Sequence, residues 1–177
     1  MSWKTFASRK VYENDWMTVL EDHVQNPGGG ENQYGHVHFK NIAVAILPLD
    51  NDEHTWLVGQ SRYTLGEYSW ELPMGGAPRD EDLLDAAKRE LAEETGLRAD
   101  SWQELMRLHT SNSITDEQAV VYLATELGVG DTALEESEDI TTRRLHIDAA
   151  IDMVMNGEIT DAISVAALLR AALMRRA

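Results

Sequence analysis

The segment from Gly75 to Leu97, GGAPRDEDLLDAAKRELAEETGL, constrains this chain of 177 residues more than any other part of it. Its composition predicts a helix, and residues three and four apart share one face of a helix. Glu90, Glu93 and Glu94 therefore point the same way and repel one another, which a helix tolerates readily when cations sit between the carboxylates. Ligands made only of oxygen suit hard divalent ions such as Mg²⁺ or Mn²⁺.

This helix is predicted to run from Glu81 to about Thr95. Asp80 is the predicted N-cap, and Gly96 stands where a glycine commonly ends a helix. The predicted apolar stripe of this helix consists of Leu83, Leu84, Ala87 and Leu91. The three glutamates are predicted to lie outside that stripe. One face is therefore expected to pack against the protein while another binds metal.

Other runs along the chain predict a mixed α/β domain. Alternating segments at 16–24 and 34–40 predict a hairpin, and the continuous apolar run at 42–49 predicts a buried strand. Further strands are predicted at 55–62, 101–109 and 118–127, and further helices at 146–155 and 161–174. Thr160 or Asp161 is expected to cap the last helix. This order of strands and helices is typical of an α/β layered domain.

The chain is strongly acidic, with a formal net charge of −16, which argues against nucleic acid or an anionic membrane as a partner. Bound divalent cations would reverse the sign of the field locally, so an anionic substrate stays compatible with this acidity. The absence of cysteine excludes disulfides and thiolate metal sites. The start of the sequence, MSWKTFASRKVYENDW, contains no apolar signal core, and no apolar run approaches the length of a membrane span. The expected location is the cytoplasm.

The acidic segment resembles the Nudix box, the signature of the Nudix hydrolase family. The fixed positions of that signature are all matched and fall on Gly75, Glu81, Arg89, Glu90, Leu91, Glu93, Glu94, Gly96 and Leu97. A solvated acidic helix face is the alternative, but it does not explain two glycines at fixed spacing. The resemblance implies an α/β/α sandwich with a mixed sheet over residues 42–177.

The resemblance also implies how the segment is used. The metal ligands would be Glu90, Glu93, Glu94 and the backbone carbonyl of Met74, with Mg²⁺ as the cofactor and Mn²⁺ as the alternative. Glu94 is also counted among the catalytic residues. Glu81 and Arg89 would form a structural ion pair, and the glycines at 75 and 76 would allow a tight loop close to the cations.

Two segments before the box resemble those of the ADP-ribose and nucleotide-sugar pyrophosphatases. They are Gln60–Tyr63 (QSRY) and Trp70–Gly76 (WELPMGG). The resemblance implies Arg62, Tyr63 and Glu71 as substrate-binding residues, with the Arg62 guanidinium forked onto phosphate oxygens. The alternative for Arg62 is a surface ion pair with one of the many carboxylates.

The segment Glu135–Ile140 (EESEDI) resembles the acidic loop that carries the catalytic base in the same subfamily. The resemblance implies that Glu136 and Glu138 match the two glutamates of that loop, with Glu136 as the general base and Glu138 as the second choice or an auxiliary. A carboxylate within a dense acidic cluster is also expected to have a raised pKa, as a base needs. The alternative is a mobile acidic loop with no fixed role.

One stretch departs from the subfamily. Thr110–Glu117 (TSNSITDE) stands where Ser-Pro-Gly often occurs, and it contains neither proline nor glycine. The substrate loop therefore differs. ADP-ribose and a hexose nucleotide such as GDP-mannose or ADP-glucose are both left open as the substrate.

Aromatic residues are frequent near the N-terminus. The resemblance implies that residues 1–41 form a separate small antiparallel sheet, through which a homodimer assembles and on which a nucleobase can stack. The candidates for stacking are Trp3, Tyr12, Trp16, Tyr34 and Phe39. Most of them are expected in the core or a dimer interface, and the choice among them is left open.

The predicted function is Mg²⁺-dependent hydrolysis of the pyrophosphate bond of a nucleoside diphosphate sugar, to a nucleoside monophosphate and a sugar phosphate. One alternative is a Nudix enzyme acting on nucleoside triphosphates, dinucleoside polyphosphates or capped RNA, against which the N-terminal extension argues. Another, from a different class, is a non-catalytic nucleotide-sensing domain. Such domains usually lose the glutamates of the box, and here they are all present.

Overall fold

The computed structural model describes residues 2–130 and 140–176. Within these ranges ten strands form three sheets, and three helices accompany them. The strands are β1 (Lys4–Glu13), β2 (Met17–Gln25), β3 (Glu31–Phe39), β4 (Asn41–Pro48), β5 (His54–Arg62), β6 (Glu67–Glu71), β7 (Met74–Pro78), β8 (Leu97–His109), β9 (Gln118–Val129) and β10 (Thr141–His146). The helices are α1 (Leu83–Thr95), α2 (Ile147–Met155) and α3 (Ala162–Met174).

Two of the sheets form the centre of the domain. The larger has the order β7-β4-β9-β8, and in it β4 runs parallel to β9 but antiparallel to β7. The smaller has the order β10-β5-β6 and is antiparallel throughout. The larger sheet is therefore mixed, as predicted.

Strand β4 separates two apolar clusters because successive side chains of a strand point to opposite faces of the sheet. Val44 and Ile46 are fully buried in a cluster with Leu91 of α1. Ala45 and Leu47 are fully buried in a second cluster, which includes residues of α2 and α3. The sheet thus lies between α1 and the other two helices, and the predicted α/β/α sandwich is confirmed.

Helix α1 begins two residues later than predicted. Asp82 is its N-cap, and the carboxylate accepts hydrogen bonds from the backbone N–H groups of Leu84 and Asp85. The prediction of Asp80 as N-cap was wrong, since its side chain lies too early in the chain to reach these groups. Gly96 ends the helix with a left-handed φ of 69°, as predicted.

Strands β1, β6, β7 and β10 were not predicted. Every residue of β1 is exposed in the single chain, and its large apolar residues, Phe6, Val11 and Tyr12, do not follow the regular alternation that indicates a strand. Gly75 and Gly76 were expected in a tight loop, and this was wrong: they pair with Val44 and Ala43 as part of β7. Neither glycine has the positive φ of a turn.

The predicted N-terminal antiparallel sheet is present and contains β1, β2 and β3 in that order. The division of the chain at residue 41 and the role of this sheet in dimerisation stay predictions. In the part of the chain that the structure describes, no helix has both the length and the apolar character needed to cross a membrane.

Ser164 links α3 to the connection between β6 and β7. Its fully buried Oγ accepts a hydrogen bond of 2.9 Å from the backbone N–H of Leu72. Ser164→Ala leaves that donor without its partner in the core, and we expect the free energy of unfolding to fall by about 1–3 kcal/mol in urea denaturation. Ser113→Ala, at an exposed position, is the control and should change it by less than about 0.5 kcal/mol. Equal losses in the two variants would contradict this role.

Candidate functional site

Glu94 connects α1 to the start of β7. The residue is only 3% exposed and lies on the packed face of the helix with Ala87 and Leu91. The prediction that Glu94 lies off the apolar stripe was therefore wrong. Its Oε2 accepts a hydrogen bond of 2.8 Å from the backbone N–H of Met74. Because a carboxylate is costly to remove from water, it is buried only where hydrogen bonds or ions compensate it. The side chain is therefore held against the first residue of β7.

Arg89 lies among the other acidic residues of the helix. Its Nη1 donates to Glu90 at 2.8 Å and to Glu93 at 3.0 Å, and its Nη2 lies 3.4 Å from Glu81. Burial alone would lower the pKa of Arg89, but hydrogen bonds to Glu81 and the charge of Glu90 raise it, so the guanidinium stays cationic. The predicted ion pair between Glu81 and Arg89 is confirmed.

Glu90 packs directly on the backbone of Gly75. A methyl group built on Gly75 would lie between 2.0 and 2.3 Å from the three carboxyl atoms of Glu90, which is far inside contact distance. Only glycine leaves room for the carboxylate in this position. Glu90 and Glu94 thus approach the same two-residue segment, Met74–Gly75, from the helix.

The donor groups at this place fit a hard divalent cation in their chemistry, since they are carboxylate oxygens beside a strand backbone. Within residues 2–130 and 140–176, no group of three or more His, Asp or Glu side chains could hold a metal ion as placed. Arg89 binds Glu90 and Glu93, whereas Glu94 contacts Met74. The assignment of these three glutamates and Met74 as metal ligands stays a prediction.

Arg62 and Glu71 form a two-point ion pair. Nε and Nη2 of Arg62 donate to the two carboxylate oxygens of Glu71 at 2.9 and 2.5 Å. Glu71 is buried, which opposes its charge, but hydrogen bonds from Arg62 and Ser69 keep its pKa below the usual value. Glu71 therefore orients Arg62, and a substrate-binding role for either residue stays a prediction.

A cavity of about 510 Å³ opens beside these groups, a volume typical of small-molecule sites. Several separate parts of the chain contribute to its wall. The contributors that matter for the chemistry are Trp16 and Phe39 of the N-terminal region, Arg62, the first residues of β7 (Met74, Gly75 and Gly76), Thr110 and Glu117, and Asp161.

Asp161 has two roles, of which the sequence predicted only the first. It caps α3 by accepting a hydrogen bond of 2.8 Å from the backbone N–H of Ser164, which confirms one of the two predicted caps. It also lines the cavity, as does Asn41. The sequence around a capping aspartate does not indicate whether it also faces a cavity, because the cavity is formed by segments that are distant in sequence.

Among the predicted site residues that the structure describes, Arg62 and Met74 line this cavity, whereas Glu71, Glu90, Glu93, Glu94 and Tyr63 do not. Tyr63, predicted to bind substrate, is fully exposed. Glu136 and Glu138, predicted as the general base and its alternative, fall in 131–139 and lie outside the described residues. All three assignments stay predictions.

Comparison with known proteins gives matches along nearly the whole chain. The NUDIX domain family matches residues 39–164, and the nucleoside diphosphate sugar hydrolase N-terminal domain matches residues 3–37. The chain is 36% identical to an ADP-ribose pyrophosphatase of Mycobacterium tuberculosis, over 94% of this chain and 81% of that protein. It is 29% identical to an ADP-ribose pyrophosphatase of Bacillus subtilis, over 90% of this chain and 86% of that protein.

The fold also matches a solved structure. A crystal structure of an ADP compounds hydrolase superposes with a TM-score of 0.89 and covers 99% of this chain and 95% of its own. The sequence identity is 21%, so the likeness concerns the fold alone.

The contact between Gly75 and Glu90 can be tested by adding one methyl group. Gly75→Ala should displace the Glu90 carboxylate and weaken Mn²⁺ binding about 10-fold, measured by titration calorimetry. Gly128→Ala is the control, because a methyl group there meets no atom within 4 Å. If both variants bind Mn²⁺ as the unchanged chain does, the packing of Glu90 on Gly75 has no part in metal binding.

Proposed function

The chain belongs to the NUDIX domain family, and from that premise we propose that it hydrolyses the pyrophosphate bond of a nucleoside diphosphate sugar. Water attacks at phosphorus, and the products are a nucleoside monophosphate and a sugar phosphate. The proposed substrates are ADP-ribose or a hexose nucleotide such as GDP-mannose or ADP-glucose. Two relatives that carry the name ADP-ribose pyrophosphatase support this class of substrate.

The make-up of the cavity wall is the observation that carries the proposal. Trp16 and Phe39 offer aromatic surface for a nucleobase, and Arg62 offers a cation for phosphate. Asp161 offers oxygen acceptors for the hydroxyl groups of a sugar. A nucleotide sugar consists of a base, a diphosphate and a sugar, and side chains suited to each of these three parts line the same cavity.

Mg²⁺ is the proposed cofactor, with Mn²⁺ as the alternative. Glu90, Glu93, Glu94 and the backbone carbonyl of Met74 would hold it. When bound, the cation neutralises charge on the phosphate oxygens and activates water. An anionic substrate meets a chain of net charge −16, so its binding depends on positive charge concentrated at the site.

Arg62 supplies positive charge from the chain itself. Glu71 engages its Nε and Nη2, so Nη1 is the group proposed to donate to a phosphate oxygen. Hydrogen bonding to Glu71 raises the pKa of Arg62, and the guanidinium stays charged. The ion pair also orients the side chain before a substrate arrives, which lowers the entropic cost of binding.

Glu136 is the proposed general base, with Glu138 as the second choice. Its task is to accept the proton of the attacking water. Both residues lie outside the described part of the chain, so the support is the resemblance of the EESEDI segment to the acidic loop of the subfamily.

A homodimer through the N-terminal sheet is also proposed. Strand β1 is exposed along its whole length, and Phe6, Val11 and Tyr12 on it are 44%, 53% and 52% exposed. An exposed edge strand that carries large apolar side chains is typical of a surface that another chain covers. Native mass spectrometry should give twice the chain mass. A monomer at micromolar concentration would contradict the dimer.

The proposed activity is tested by a hydrolysis screen over ADP-ribose, ADP-glucose, GDP-mannose, UDP-glucose and ATP with Mg²⁺ and Mn²⁺. At least one nucleotide sugar should be cleaved with kcat/KM of at least about 10⁴ M⁻¹ s⁻¹, and faster than ATP. Faster cleavage of ATP would support the triphosphate alternative. Tight nucleotide binding without hydrolysis would support the non-catalytic alternative.

Two variants, measured in the same screen, separate the proposed metal ligand from the proposed general base. Glu94→Gln keeps an oxygen acceptor for the Met74 N–H but loses its charge, so Mn²⁺ affinity and turnover should both fall, by about 10–100-fold. Glu136→Gln should lower turnover by about 10²–10⁴-fold and leave Mn²⁺ affinity nearly unchanged. Full turnover in either variant would move that role to another residue.

A further inference from the structure

The stretch Ser111–Asp116, which departs from the subfamily in sequence, lies along the edge of β3. The backbone N–H of Val37 donates to the carbonyl of Ile114 at 2.9 Å, and its carbonyl accepts from the N–H of Asp116 at 3.2 Å. The stretch therefore extends the N-terminal sheet by a short parallel edge. The next residue, Glu117, lines the cavity.

Asp116 fastens this stretch to the end of β3. Its Oδ1 accepts a hydrogen bond of 2.9 Å from the backbone N–H of Phe39, and its Oδ2 bonds with Nδ1 of His38 at 2.5 Å. Burial would raise the pKa of Asp116, but the hydrogen bonds from His38 and the Phe39 amide keep it below the usual value. The residue is therefore a charged acceptor with two donors from one strand.

Arg79, directly after β7, holds the other backbone group of Phe39. Its Nη2 donates to the Phe39 carbonyl at 2.9 Å and lies 3.9 Å from Oδ2 of Asp116. Both polar backbone groups of Phe39 are thus bound by side chains from two segments that are distant in sequence. Because Phe39 and Glu117 both line the cavity, these contacts connect two parts of its wall.

We propose that Asp116 is a positioning residue for substrate binding, because it fixes the places of Phe39 and Glu117 in the cavity wall. This inference rests on the proposed function, which assigns the cavity to a nucleotide sugar. The side chain of Asp116 is 46% exposed, and exposed ion pairs contribute little to folding stability. Its loss should therefore leave the chain folded and act on the affinity for substrate.

The test compares Asp116→Ala with Asp22→Ala. Asp22 forms the same kind of carboxylate–histidine pair on the same sheet, with His36 at 3.1 Å. Its side chain is only 16% exposed, so its removal should disturb the sheet at least as much. Asp22, however, contacts His36, which does not line the cavity as Phe39 does.

For the nucleotide sugar that the chain cleaves best, Asp116→Ala should raise KM about 10-fold and change kcat less than about 3-fold. Asp22→Ala should keep KM near the unchanged value. Asp116→Asn retains an oxygen acceptor for the Phe39 N–H and should recover most of the loss. Hydrogen exchange at the Phe39 amide should quicken in Asp116→Ala.

An unchanged KM together with faster exchange at Phe39 would overturn the positioning role. Equal rises of KM in Asp116→Ala and Asp22→Ala would also overturn it, since a general loosening of the sheet would then be the cause.

If the unchanged chain cleaves no nucleotide sugar, the proposed function fails, but the role of Asp116 can still be tested. Calorimetric binding of AMP then decides the role of Asp116: weaker binding by Asp116→Ala alone supports it, and equal binding overturns it.

Discussion

The buried carboxylate of Glu94 is the interaction on which the rest of the site depends. At 3% exposure a charged group is tolerated only where hydrogen bonds are supplied to it, and the backbone N–H of Met74 supplies one at 2.8 Å. Met74 begins β7, pairs with Ala45 in the centre of the core, and lines the cavity. The packed face of α1 and the central sheet are therefore joined at the edge of the cavity.

Arg89 provides the second constraint on the helix. Carboxylates three and four residues apart destabilise a helix, and one guanidinium bound to Glu81, Glu90 and Glu93 offsets that repulsion. Gly75 then gives the Glu90 carboxylate the room it needs against β7. The acidic segment thus joins helix to strand, and it also contains the carboxylates that are proposed as metal ligands. Both uses need the same residue types at the same spacing.

Sequence reasoning succeeded where the constraint acts within one helix or at its ends. The stop at Gly96 follows from the left-handed conformation that a helix end requires, which glycine adopts readily. The pair of Glu81 and Arg89 was implied by the family resemblance, and Glu81 lies just before the helix. It failed where distant segments converge: nothing near Asp161 indicates that it reaches the cavity, and nothing in the sequence singles out Trp16 and Phe39 among the five aromatic candidates. It also missed β1, in which the large apolar residues Phe6, Val11 and Tyr12 do not alternate regularly with polar ones.

The most direct test of the site is the position of a bound cation. Anomalous diffraction from crystals of the chain grown with Mn²⁺ and AMP would locate manganese without assuming its ligands. We expect manganese bonded to carboxylate oxygens of Glu90, Glu93 or Glu94, with AMP in the adjoining cavity. Manganese found only at other acidic groups, such as the turn at Asp50–Glu53, would contradict the assignment of the helix as the metal-binding element.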